Sequence, residues 1–173
     1  MKRNEIDLYP LSSELMNQDW CLYSDNDTSE FNDELIYTYQ LCNKYNLDFL
    51  TVLAIRATES QFQSNIKSCD YWSTGSRGTF QQTRDNIDCY GLGYSENEIA
   101  KNNYKSTEAA INYIVQINKN MKGEYRRIIA FNTGITGAMN LSWNGVENHS
   151  YLNKVLEYKR KIETIYNKLN YEK

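Results

Sequence analysis

The stretch that most constrains this chain is residues 47–62, LDFLTVLAIRATESQF. Apolar side chains fall at positions 47, 49, 50, 52, 53, 54, 55 and 57. That density is too high for a one-sided stripe and predicts a helix buried on most of its faces. Asp48 stands where an N-cap is needed to accept an orphan backbone N–H. At the far end come Glu59 and Ser60. Apolar neighbours and the negative end of the helix dipole both favour the protonated form of a carboxyl there, whereas Arg56, one turn back, works against it. A carboxylic acid that keeps its proton near neutral pH is what general acid catalysis requires. The plain alternative is that Glu59 simply ends a helix at the surface.

The remaining chain reads as helices around that rod. Phe31, Leu35, Ile36, Tyr39, Leu41 and Cys42 fall near helical spacing and predict a helix over 31–45. Residues 63–94 are rich in Ser, Asn, Asp and Gly and predict a loop-rich insertion with room for a small β-hairpin. Long insertions of this kind in a compact domain are often functional. Helices are expected over 95–102, capped by Ser95, over 106–121, capped by Ser106, and over 124–131, ended by FNTGITG. Residues 141–149 read as loop, with His149 beside the last helix rather than as a ligand or base. Residues 151–170 predict a long amphipathic helix that buries Tyr151, Leu152, Val155, Tyr158, Ile162, Ile165 and Leu169. Residues 1–30 are polar and acidic, an arm with a short helix near 13–19, tacked on by Tyr9, Leu11, Leu15, Trp20 and Leu22. The expected division is therefore an arm, 1–30, and one mainly α domain, 31–173, long enough for a real core.

Charge and composition narrow the function. A net charge of −3 with no basic stripe argues against a general nucleic-acid or anionic-membrane binder. No run of eighteen apolar residues exists, so no membrane span is expected. The start, MKRNEIDLYPLSSELMNQDW, lacks the apolar centre of a secretory signal, which predicts a cytosolic protein, another exit route or a trimmed piece. Four cysteines without CxxC spacing and a single histidine make a metal site unexpected, and no cofactor is called for. Cys69 and Cys89 are the best candidates for a disulfide; four reduced thiols are the alternative. Fifteen tyrosines against 5 phenylalanines and 3 tryptophans supply amphipathic rings that suit sugar faces, although such rings also fill cores.

Four short pieces then fall in order: ATESQF with Glu59 and Ser60, SRGTFQQT at 76–83, AFNTG at 130–134, and SYLNKVLEY at 150–158. This series resembles the lysozyme-like catalytic domain of the soluble lytic transglycosylases, relatives of goose-type lysozyme. The family pattern runs ES, GLMQ, AYNAG and a Tyr that starts the final helix. The resemblance covers about residues 35–168 and implies a lysozyme-like helical domain acting on peptidoglycan glycan strands. It implies Glu59 as the sole catalytic acid and Tyr151 close to it. It also implies substrate contacts from Ser60, Phe80, Gln81, Phe131 and Asn132. Two departures stand out. GLMQ is GTFQ here, and AYNAG is AFNTG, so the ring at 131 carries no hydroxyl. Core packing is the competing role for Phe131 and Tyr151. For Gly78 and Gly134 the simple reading is a turn that needs positive φ.

Ordinary glycosidases use two carboxylates at set separations. The matching pieces supply one, Glu59; Asp70, Asp85 and Asp88 lie in the insertion outside any motif. The expectation is therefore cleavage of the β-1,4 bond between N-acetylmuramic acid and N-acetylglucosamine, with the 6-hydroxyl of the muramoyl residue as nucleophile and a 1,6-anhydro end as product. The competing readings are a hydrolytic goose-type muramidase, a weakly active glycan-binding part of a wall-penetrating machine, and a plain helical interaction module. The expected place of action is the bacterial cell wall, as a phage lysin, a virion component or a piece of a secretion or conjugation enzyme.

Overall fold

The computed structural model describes residues 7–23, 27–63 and 75–171. Among them the protein is mainly α, with nine helices and no strand. In chain order they are α1 (Tyr9–Met16), α2 (Thr28–Tyr45), α3 (Phe49–Ser60), α4 (Arg84–Tyr90), α5 (Glu96–Lys101), α6 (Asn103–Asn120), α7 (Glu124–Met139), α8 (Trp143–Glu147) and α9 (Ser150–Tyr171).

The dense apolar stretch is α3, and it is buried as its composition demands. Val52, Leu53, Ala54, Ile55 and Ala57 are all inside. Each large apolar side chain removed from water contributes about 1.5–3 kcal/mol, which fixes this helix at the centre. Its main partner is α9, with α2 alongside. Asp48 caps it by accepting the Leu50 N–H at 3.3 Å, and the same carboxylate meets Lys159 of α9 at 2.9 Å. At the other end Gln61 (φ 51°) and Phe62 (φ 66°) are both left-handed and turn the chain away. Phe62 then buries its ring against Phe31, centroids 5.4 Å apart. Glu59 is thereby left in the last turn of a helix anchored at both ends.

The N-terminal stretch packs on the body through its described residues. Leu11 and Leu15 of α1 are core residues, and α1 packs on α2 and α9. Trp20 sets its ring 5.2 Å from Tyr158 and 6.2 Å from Phe62, and the Leu22 N–H donates to the Gln61 carbonyl at 2.8 Å. Tyr9 and Leu22 are largely exposed, unlike the other anchors expected here. The second helix starts at Thr28, before the expected boundary, because Asp27 caps it through the Ser29 and Glu30 N–H groups.

The other differences also come from caps. Helix α6 begins at Asn103, with Asn102 accepting the Lys105 N–H at 3.0 Å, so Ser106 is a buried interior residue and not the cap. Ser95 does cap α5, with Glu98 completing a capping box. The insertion contains an unexpected helix, α4, capped by Thr83; Asp85 and Asn86 are first-turn residues there. Among its described residues it holds no strand and one antiparallel bridge, Arg77–Gln82, closed by two backbone hydrogen bonds of 2.9 and 3.0 Å. The sequence FNTGITG breaks α7 at Gly134 (φ 77°, ψ 163°), after which helix resumes. Ser142 starts the short α8 where loop was expected, its hydroxyl accepting the Gly145 N–H. Cys21, Cys42 and Cys89 are free thiols; Cys69, and with it the expected pairing, lies outside the described residues, as does Asp70.

Candidate active site

Glu59 opens into a cavity of about 460 Å³ lined by Thr58, Glu59, Ser60, Gln61, Gln63, Gln81, Lys154, Glu157 and Tyr158. Three segments build it: the end of α3, the turn closed by the Arg77–Gln82 bridge, and the face of α9 that follows Tyr151. A second cavity, about 450 Å³, lies at the opposite end of α3 beside Asp48 and Lys159 and does not include Glu59.

Burial pushes the Glu59 carboxyl up to about 7, against the opposing pull of a hydrogen bond from Tyr151. The Tyr151 hydroxyl donates to Glu59 Oε1 at 2.6 Å. Burial and the adjacent carboxylate hold that phenol well above its ordinary pKa, so it stays a donor. Arg56 does not oppose the shift, contrary to expectation. Its guanidinium turns inward, meeting Glu34 at 2.5 Å and the Thr79 hydroxyl at 2.8 Å, and is fully buried.

The structure brings Glu59, Ser60 and Gln81 to one cavity. The Gln81 backbone is left-handed (φ 45°), and its Nε2 donates to the Gly78 carbonyl at 2.9 Å, which fixes the amide at the cavity wall. The Ser60 hydroxyl is engaged within the protein, 3.2 Å from both the Arg56 carbonyl and Thr79 Oγ1. It joins the helix of Glu59 to the turn of Gln81. Phe80 does not line the cleft: it is fully buried. Its ring packs edge-on against Phe131, 6.4 Å between centroids, and Phe131 packs in turn on Tyr113 at 5.6 Å. The two phenylalanines support the turn from beneath, the core-packing role. Tyr151 is also buried, reaching the site only through its hydroxyl. Asn132 is exposed on α7 and is not among the residues lining the Glu59 cavity. Asp85 and Asp88 are exposed on α4 and do not line it either. His149 joins α8 to α9.

Residues 37–149 match the family described as the transglycosylase SLT domain. The chain belongs to the SLT transglycosylase family. At family level an SLT domain carries a lytic transglycosylase type of activity on peptidoglycan. No curated protein matches the chain. The SLT match ends two residues before Tyr151, so the wall that α9 contributes lies outside it. Sequence reasoning did not single out six of the residues that line the cavity: Thr58, Gln61, Gln63, Lys154, Glu157 and Tyr158. The signal was present for two of them. Lys154 and Tyr158 follow Tyr151 by three and seven residues and therefore share its helix face.

Proposed function

We propose that Glu59 cleaves the glycan by itself, first as acid and then as base. Its proton passes to the oxygen linking C1 of N-acetylmuramic acid to C4 of N-acetylglucosamine, and the C1–O bond breaks. The 6-hydroxyl of the same muramoyl residue closes on C1, and its proton goes to the Glu59 carboxylate. No water is consumed, the products are a free 4-hydroxyl and a 1,6-anhydro end, and Glu59 finishes protonated. The observation that carries this reading is a carboxyl pushed to about 7 at the wall of an open cavity and oriented by one phenol. At that pKa both halves of the proton cycle are accessible near neutral pH. Gln81 is the proposed hydrogen-bond partner of the sugar at the cavity, with Asn132, exposed on α7, as a second candidate partner outside it; the proposed site of action is the bacterial wall.

Glu59→Gln tests the assignment. Turnover of purified peptidoglycan should fall by on the order of 10²–10⁴-fold, with the circular dichroism spectrum and glycan binding kept. Undiminished clearing of the wall by Glu59→Gln would reject Glu59 as the acid.

One observation favours a hydrolytic second reading. Glu157 lines the same cavity, and the Lys161 ammonium, 2.7 Å away, holds its carboxyl below the ordinary range. A protonated and an ionised carboxyl facing one cleft is the division of labour of a two-carboxylate glycosidase. Mass spectrometry of the released fragments decides between the two: anhydro ends support the single-acid route, and reducing ends that disappear in Glu157→Gln support hydrolysis.

A further inference from the structure

We propose that Lys154 is a specificity residue of the cleft, pairing its ammonium with a carboxylate carried by the glycan; this rests on the reading of the Glu59 cavity as the glycan site. Lys154 is the one basic side chain among the residues lining that cavity. It is exposed on α9, one turn beyond Tyr151, and makes no ion pair with any described carboxylate. The other cavity-facing charge on the helix, Glu157, is already engaged by Lys161 at 2.7 Å. Further along α9, Lys159 meets both Asp48 at 2.9 Å and Glu124 at 3.4 Å. The cavity therefore carries a positive charge that no carboxylate among the described residues neutralises, beside a carboxyl that is largely protonated below pH 7.

An uncharged sugar chain gives such an ammonium nothing to pair with, whereas a carboxylate gives it a charge-assisted hydrogen bond. The peptidoglycan repeat offers two sources of that group. One is the 3-O-lactyl substituent of N-acetylmuramic acid, ionised where no peptide is attached. The other is a carboxylate on the peptide stem. Chitin-type chains of N-acetylglucosamine have neither. Lys154 thus separates wall glycan from neutral glycan by charge, while the Gln81 and Glu59 side of the cavity addresses what the two polymers share.

The test compares wild type, Lys154→Ala and Lys154→Arg on three probes: intact peptidoglycan strands, peptide-stripped strands and chitohexaose. Binding is measured with each protein carrying Glu59→Gln, and cleavage without it. The expected result is a loss of about three- to tenfold in affinity and in kcat/KM for the carboxylate-bearing strands in Lys154→Ala. Lys154→Arg should restore most of it, raised salt should mimic the loss in wild type, and chitohexaose binding should not change. A loss already present on stripped strands assigns the lactyl carboxylate; a loss confined to intact strands assigns a stem carboxylate. Equal losses on all three probes, or none on any while wild type cleaves the wall, overturn the role of Lys154 and leave the Glu59 reading standing. A wild type that neither binds nor cleaves any strand overturns both.

Discussion

The Tyr151 hydroxyl donates to Glu59 Oε1 across 2.6 Å, fastening the first turn of α9 to the last turn of α3. The contact works in two opposed ways. It fixes the carboxyl's orientation, and it stabilises the ionised form against the burial that raises the pKa. Tyr151→Phe removes only the oxygen and leaves the buried ring. The acid should then titrate higher than the wild-type value, so the alkaline limb of the rate profile moves to higher pH. The loss of orientation should lower kcat by about ten- to a hundredfold. A pH–rate series on peptidoglycan suspensions measures both at once. A tyrosine that only filled the core would leave the limb where it was.

The raised pKa of Glu59 also makes stability depend on pH. In the unfolded chain the carboxyl titrates at its ordinary value of 4.5, and in the fold at about 7. Between these values the folded state holds a proton that the unfolded state has lost, so stability falls as pH rises through the window. Below 4.5 both states are protonated and the group is neutral in the balance. Above 7 the cost of burying the carboxylate is fully present, on the order of 1–3 kcal/mol for a partly accessible group. Glu59→Gln should therefore be more stable than wild type at pH 8 and equal to it at pH 4. Urea midpoints at the two pH values provide the comparison. The rate should fall over the same range, because at pH 8 only about a tenth of Glu59 remains protonated.

What could be read in the sequence was whatever repeats locally or lies on one element. The α3 rod and its Asp48 cap follow from apolar density and one well-placed oxygen. Glu59 and Gln81 were identifiable because each sits in a short motif. The direction of Arg56 was not legible. Its partner Glu34 lies on another helix and Thr79 lies within the insertion, and no local pattern announces a contact across 22 or 23 residues. Phe80 was read as cleft lining because its position in the motif matches, yet the turn points it inward onto Phe131. Helix α4 was hidden for a different reason. Asp, Asn and Thr favour turns and helix N-termini alike, and only Ile87, packed on the rest, decides for helix.

Arg56 and Glu34 make a buried pair at 2.5 Å, with Tyr23 and Asn103 also donating to Glu34 at 3.1 and 2.7 Å. The network ties α2, α3 and α6 to Thr79, two residues before Gln81. Arg56→Met leaves a buried carboxylate without its cation, and the expected destabilisation is about 3–5 kcal/mol. Adding Glu34→Gln to that variant should recover part of the loss, because the remaining group is then neutral and can still accept from Tyr23 and Asn103. Urea denaturation of both single variants and the double variant gives the coupling. Additive losses would mean that the two side chains do not act as a pair.

Gly78 and Gly134 both hold positive φ, 73° and 77°, but their surroundings differ. A Cβ at Gly134 would meet nothing within 4 Å. At Gly78 it would stand 2.4 Å from the Ser106 hydroxyl and 2.6 Å from the Ile99 carbonyl. The turn carrying Gln81 thus packs directly on α6 and the end of α5, and only a missing side chain permits that approach. Gly134→Ala should cost the backbone term alone, about 1–3 kcal/mol. Gly78→Ala adds a clash with a backbone carbonyl that cannot rotate away, so it should be the more destabilising of the two. It should also lower activity in the surviving folded protein by shifting Gln81 relative to Glu59. Thermal unfolding of the two variants, followed by peptidoglycan turnover at a temperature where both are folded, tests the ordering. A Gly78→Ala protein as stable and as active as Gly134→Ala would show that the turn does not need this close contact to hold the cleft together.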